Sequence, residues 1–402
     1  MRFCFAELLL ALSTALDCVE SDLIGDSTCH SKRVAYLCIG MGKKFGLGDQ
    51  ALSDLAAYAL LHDNAITEYM QSEHFQQGGA REAHKRIGLH CAFGERNVAK
   101  FPFFNQQKQV ILYHHENANG SGPFGKTDTE IPFFAALIHL ADRLDAIFAL
   151  QNITPSKYEK IKNFLAENKD SWFRQCDIDL FMAAFPDIDS LLVISNDKID
   201  DTLKKSLVYF SAEYSPRQLR DLAEIFARII DYKSTFTSLH SMGIADKAGK
   251  MAEYYGGDDE LCAKLFLAGA FHDIGKLTVD VGILEKTGSL TAFEFEEIKK
   301  HALKSWEILS SVSGFEDIAR WAAFHHEKLD GSGYPFGYTA EELGHYERLM
   351  CCLDIYQALR EERPYKKAKN HVATIAIMQR MAQYGSIDEQ IVQDIDKVFG
   401  ET

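Results

Sequence analysis

The chain has 402 residues, 47% of them hydrophobic and 25% charged, with a formal net charge of −15 and only eight prolines. This length buries cores for two or three domains, and the composition excludes a disordered or low-complexity protein. The acidic balance excludes a polymeric nucleic acid as partner, but allows a small anionic substrate if metal ions supply positive charge locally.

The opening MRFCFAELLLALSTAL is leader-like, but Glu7 interrupts its apolar run and no run reaches membrane-spanning length, so it predicts the first helix of the fold. No membrane association is expected. After His30, apolar residues fall at Val34, Cys38, Met41 and Phe45, which is one face of a helix that also carries the histidine inward. Residues 1–150 therefore read as one domain, and 151–215, mixed charged and apolar, as a structured helical bridge. Ser215-Pro216 starts the next helix, with proline at its first position, and residues 216–402 form a second domain. There, Ile244, Ala248, Met251 and Tyr255 follow His240 at the same offsets as in the first domain. Thr291 with Glu294 forms a capping box ahead of a helix carrying His301. No β-alternation of any length appears, so the fold class is all-α: two tandem helical bundles. Nine cysteines without a CxxC pair argue against disulfides or a zinc ribbon, and for a reducing, cytoplasmic setting.

The histidines show that the two domains are a repeat. His30, His62, His90, His114 and His115, followed by Asp142, are spaced 32, 28, 24, 1 and 27. His240, His272, His301, His325 and His326, followed by Asp354, are spaced 32, 29, 24, 1 and 28. A lone inward histidine is ordinarily a satisfied core residue. Five of them in a recurring arrangement with aspartates would leave too many buried polar groups seeking partners unless they ligate something. Nitrogen and carboxylate donors suit iron, manganese or zinc and argue against copper(I). An adjacent His-Asp pair, His272-Asp273, lets one carboxylate bridge two ions in a hydrolytic centre, where bound water loses its proton near neutral pH.

From about residue 216 onward the chain resembles the HD-GYP family. The resemblance rests on HDIGK at 272–276, HHEKLDGSGYP at 325–335 and Arg363-Pro364-Tyr365 after Asp354. It implies an all-helical bundle with two or three iron or manganese ions that hydrolyses a cyclic dinucleotide, either cyclic di-GMP or 3′,3′-cyclic GMP-AMP, to a linear 5′-phosphorylated dinucleotide. By position it implies His240, His272, Asp273 (bridging), His301, His325, His326 and Asp354 as metal ligands. Lys276 would contact the scissile phosphate, and Arg363 and Lys366 would hold substrate phosphate. Tyr334 would stack on a base, in a loop shaped by Gly331, Gly333 and Pro335; a purely structural turn is the alternative. Members with three metals have a glutamate where this chain has Phe236, so two ions are expected. Gln357 stands where the family usually has aspartate.

The first repeat resembles the same family in eroded form. Ile66 replaces the lysine, Asn119 replaces the loop aspartate, no tyrosine precedes Pro123, and no RPY follows Asp142. The ligand set His30, His62, Asp63, His90, His114, His115 and Asp142 survives, and Asp26 sits four residues before His30. This half is expected to hold metal structurally or as a regulatory partner of the second repeat; a separate phosphatase step is the other reading. For the whole chain the competing readings are a non-enzymatic cyclic dinucleotide sensor and an HD-type mononucleotide phosphohydrolase. The sequence leaves the oligomeric state open.

Overall fold

In the computed structural model the described residues are 1–24, 29–66, 68, 83–232, 240–286, 288–362 and 367–400. They are helical apart from connecting turns and one two-stranded sheet, Arg2–Cys4 against Ser211–Glu213. Strands of three residues are too short to leave an alternating pattern in the sequence. The opening segment is the helix Phe5–Ile24, as its apolar spacing predicts, with the first strand in front of it.

The chain forms two compact units: Cys4–Phe210, and Met1–Phe3 together with Ser211–Thr402. In the first, the helix His30–Phe45 lies at the centre. Around it pack Asp49–Leu60, Phe133–Phe148, Gln175–Ala184 and Ile199–Ser206. Val34, Cys38 and Met41 are buried as the periodicity requires, whereas Phe45 is 57% exposed because the helix stops there, at a left-handed Gly46. The segment 151–215 is structured, but through Phe210 it is integral to this unit and no separate bridge. Its Ile161, Leu165, Phe181 and Leu203 are buried, each stabilising the unit by about 1.5–3 kcal/mol, which holds these short helices where propensity alone could not.

In the second unit, the helix His240–Tyr254 packs on Asp259–Phe271 and His345–Arg360. The helix Pro216–Tyr232 lays Leu219, Leu222, Phe226 and Ile229 onto this core. The first three residues of the chain belong here too: Phe3 packs on Tyr214 and Phe315, with ring centroids 4.5 and 5.1 Å apart. The helix Ala292–Leu309 begins with the predicted capping box, in which Thr291 and Glu294 cap each other reciprocally. Among the described residues, no helix is long and apolar enough to cross a membrane.

Candidate metal centres

In the second unit the implied ligands come from five places in the chain and meet in one buried cluster. His240 opens its helix, His272 and Asp273 follow the end of Asp259–Phe271, and His301 lies within Ala292–Leu309. His325 and His326 follow Glu316–Ala323, and Asp354 lies in His345–Arg360. Two donor groups result, His240/His272/Asp273 and His301/His325/His326, each with ligand atoms within 4.8 Å of one another.

Asp273 joins the two groups. Its Oδ2 is 3.1 Å from His272 Nε2, while its Oδ1 is 3.4 Å from His301 Nε2 and 3.7 Å from His325 Nε2. Asp354 spans the same division, with Oδ1 3.3 Å from His240 Nε2 and Oδ2 3.7 Å from His326 Nδ1. Donors about 2.0–2.2 Å from a common ion lie roughly 3–3.5 Å apart, and three of these five separations fall in that range.

Proton placement tests the fit. His272, His301 and His325 each donate from Nδ1 to the carbonyl three residues back, Gly269, Ile298 and Ala322, at 2.8, 2.5 and 2.6 Å. With Nδ1 so engaged, each ring turns its Nε2 into the cluster. His301 Nε2 and His325 Nε2 face each other at 3.3 Å, two acceptors with no proton between them. His272 Nε2 and Asp273 Oδ1 are buried without any hydrogen bond. Burial pushes the rings of His301 and His326 down to about 3 and about 4, leaving them neutral and able to ligate at physiological pH. Burial pushes the Asp273 carboxyl up, but His272 and Lys276 outweigh it and hold the group well below its ordinary range. The donor set fits divalent metal ions, and among the described residues His272 Nε2 and Asp273 Oδ1 have no hydrogen-bond partner.

The HDIGK turn is built around this cluster. Lys276 Nζ lies 2.5 Å from Asp273 Oδ2, on the oxygen that faces His272. Gly275 has no room for a side chain: a Cβ there would stand 2.0 Å from the His301 carbonyl oxygen. Ser305 Oγ fastens the turn to the His301 helix, accepting from Gly275 N at 3.0 Å and donating to His272 O at 2.8 Å. In the following loop, Glu327 accepts from the backbone N–H groups of Phe336, Gly337 and Tyr338 at 2.7, 3.2 and 3.0 Å. Tyr334 lies against His326, ring centroids 4.6 Å apart, with Lys299 Nζ 5.8 Å from its ring centre.

The first unit repeats the plan. Asp63 Oδ2 is 3.3 Å from His62 Nε2, and its Oδ1 is 3.3 Å from His90 Nε2 and 3.6 Å from His114 Nε2. His62 and His114 donate from Nδ1 to Ala59 O and Ile111 O, and their Nε2 atoms, with Asp63 Oδ1, are buried without a hydrogen bond. Asp142 reaches His30 Nε2 at 3.3 Å and His115 Nδ1 at 3.4 Å. Glu116 pins its loop, accepting from Phe124 N and Lys126 N at 2.6 Å each, as Glu327 does in the second unit.

Two helical units with the same buried His-Asp arrangement decide the family. The chain is a tandem HD-domain protein. HD-domain family models match residues 28–147 and 224–391. The 3′3′-cGAMP-specific phosphodiesterase 1 of Vibrio cholerae is 27% identical over 393 residues, covering 94% of this chain and 88% of that protein. A cyclic di-GMP phosphodiesterase of Thermotoga maritima is 32% identical over 169 residues, covering 42% of this chain and 46% of the other. The crystal structure of the cyclic GMP-AMP specific phosphodiesterase V-cGAP3 from V. cholerae superposes with a TM-score of 0.68 at 23% identity, covering 100% of this chain and 99% of that one. It shares the fold.

In both HD domains the first histidine is held by a carboxylate that composition and spacing did not single out. In the first HD domain, His30 Nδ1 meets Asp145 Oδ2 at 2.6 Å, and Arg33 Nε donates to Asp145 Oδ1 at 2.8 Å. Asp145 stands three residues after Asp142, the position that Gln357 occupies after Asp354 in the second HD domain. There, Gln357 Nε2 donates to Glu361 Oε1 at 2.6 Å and Glu361 Oε2 takes His240 Nδ1 at 2.9 Å. Gly243 replaces Arg33, and a Cβ at Gly243 would come within 2.4 Å of the Gln357 amide. The repeat offset alone points to Asp145; nothing in the sequence points to Glu361. Arg363, Lys366, Asp26 and Phe236 lie outside the described residues.

Proposed function

We propose that the second HD domain is a metal-dependent phosphodiesterase that opens a 3′,5′-phosphodiester of a cyclic dinucleotide to the linear 5′-phosphorylated product. The observation that carries the reading is Asp273, whose two oxygens serve separate donor groups while Lys276 lies 2.5 Å from one of them. Two divalent ions bound by His240, His272, Asp273, His301, His325, His326 and Asp354, iron or manganese as the family resemblance implies, would lower the pKa of a water and neutralise charge on both reacting oxygens. Lys276 presents an ammonium at the rim of that cluster, 24% exposed, where it can move from Asp273 to a phosphate oxygen and stabilise charge as it develops. Arg363 and Lys366 are assigned to the outer phosphate, and Tyr334 to the base-facing wall, its ring braced by His326.

Of the two nucleotides, 3′3′-cGAMP is the one the chain's architecture favours. The relatives that match over 94% of this chain, both HD domains included, are named for it. Relatives named for cyclic di-GMP match 28–44%. The first HD domain binds metal without hydrolysing the dinucleotide, because Ile66 puts no cation where Lys276 stands. The protein acts in the cytoplasm.

The test supplies iron- or manganese-loaded full-length protein with each cyclic dinucleotide separately and follows linear product by chromatography. Turnover of 3′3′-cGAMP that disappears in Lys276→Ala supports the reading. Metal-loaded protein that binds either ligand without turnover points to a sensor, and turnover confined to mononucleotides points to a phosphohydrolase.

A further inference from the structure

The two centres differ at one ligand position. In the second HD domain the residue after His301 is Ala302, a fully buried methyl. In the first HD domain the residue after His90 is Cys91, equally buried, with its Sγ 3.6 Å from His90 Nε2. Cys91, His90, His114 and His115 place ligand atoms within 4.8 Å of one another. His114 Nε2, fully buried, has no hydrogen bond among the described residues, while Nδ1 of the same ring meets Ile111 O at 2.6 Å. His115 is already engaged: Arg143 Nη2 donates to its Nδ1 at 3.1 Å. In the second HD domain that arginine's place is taken by Ile355. The imidazoles of His90 and His114 and the Cys91 sulfur converge beside Asp63 Oδ1, which is buried, makes no hydrogen bond among the described residues and lies 3.3 and 3.6 Å from the two imidazoles.

We propose that the first HD domain holds a thiophilic divalent ion of the zinc class through His90, Cys91, His114 and Asp63, and that this ion differs from those of the second HD domain. Bonds of about 2.0–2.1 Å to nitrogen and 2.3 Å to sulfur place N and S roughly 3.5 Å apart around a tetrahedral ion. The sulfur stands at that distance from His90 Nε2. Two nitrogens, a sulfur and a carboxylate oxygen make a closed four-coordinate set, the arrangement of structural zinc sites; hydrolytic sites keep a position open for water or substrate. Thiolate also selects against manganese and magnesium, which prefer oxygen donors. Loss of the phosphate-binding lysine and gain of a thiolate then have one cause: a centre that binds an ion and no longer presents it to a substrate.

This inference rests on the reading that the first HD domain binds metal, and the test separates the two. Full-length protein, stripped and reloaded with Co(II), is examined for a near-ultraviolet thiolate-to-cobalt charge-transfer band, with cobalt counted per chain. Wild type and Asp273→Ala are expected to show the band at equal intensity, and Cys91→Ser to lose it while keeping its helical circular dichroism. A first HD domain that takes up cobalt without the band, or a band that persists in Cys91→Ser, overturns the ligand set but leaves metal binding standing. If Asp63→Ala binds as much cobalt as wild type, and wild type shows no band, both the ligand set and the metal-binding reading fail.

Discussion

His240 Nδ1 and Glu361 Oε2 lie 2.9 Å apart, a bond across 121 residues that leaves the other nitrogen of His240 to face Asp354. The same task falls to Asp145 in the first HD domain, three residues after Asp142, where Glu361 stands seven after Asp354. Gln357, where an aspartate is usual, thus has a role: its amide donates to Glu361 and aims the carboxylate. Carboxylates that orient a ligating histidine contribute about 10–100-fold to metal affinity. Glu361→Gln is accordingly expected to lower metal affinity of the second HD domain by that factor, and Gln357→Ala by less. Competition against a chelator of known strength, with metal counted per chain, measures both; unchanged affinity in Glu361→Gln would exclude the role.

Lys276→Ala should leave metal content and melting temperature near wild type, since the ammonium is a rim contact and no ligand. Turnover should fall about 10²–10³-fold, the cost of removing one group that stabilises transition-state charge. A loss of metal together with activity would show instead that Lys276 serves Asp273.

Gly275→Ala should disable the second HD domain altogether. The added methyl overlaps the backbone carbonyl of His301, which can yield only if the Ala292–Leu309 helix moves. Loss of metal and a lowered unfolding midpoint are expected together. In the first HD domain the corresponding residue is already Ala65, so Ala65→Gly should be mild by the same measurement.

Chelation should destabilise the protein even where it does not unfold it. Among the described residues, His272 Nε2 and Asp273 Oδ1 have no hydrogen-bond partner, nor do His62 Nε2, Asp63 Oδ1 and His114 Nε2. Each buried group without a partner costs about 1–3 kcal/mol, which across a domain of this size lowers Tm by on the order of 5–20 °C. Calorimetry before and after chelation reads the shift, and restoring metal should reverse it. An unchanged Tm would count against ligation by both clusters.

Acid sensitivity should come in part from His139, which is buried behind the first centre between His114 O and the Asn117 side chain, 3.1 Å from each. Burial pushes its ring down to about 3 from an ordinary 6.5. The unfolded chain therefore takes up this proton before the native state does, so the native state loses stability as pH falls from about 6.5 toward 3 and gains nothing from it above 6.5. His139→Gln should flatten that limb in urea titrations run across the window. An undiminished slope would assign the sensitivity elsewhere.

The sequence by itself determined the repeat, the all-helical class, both sets of clustered histidines and aspartates, and the one lysine that distinguishes the halves. Those properties ride on residue identity at fixed offsets: helical periodicity buries His30 and His240, and each repeat brings five histidines and two aspartates to matching places. Tertiary structure alone decided what surrounds them. Glu361 takes His240 only because Gly243 leaves space for Gln357, a packing relation between helices far apart in sequence. Residues 151–210 join the first unit because their apolar faces match the His30 helix, which no linear composition shift records. Cys91 read as one scattered thiol among nine until the fold brought His114 and His115 to it and to its neighbour His90. Local pattern fixes which side chains turn inward, and only the three-dimensional packing of helices fixes what they meet there.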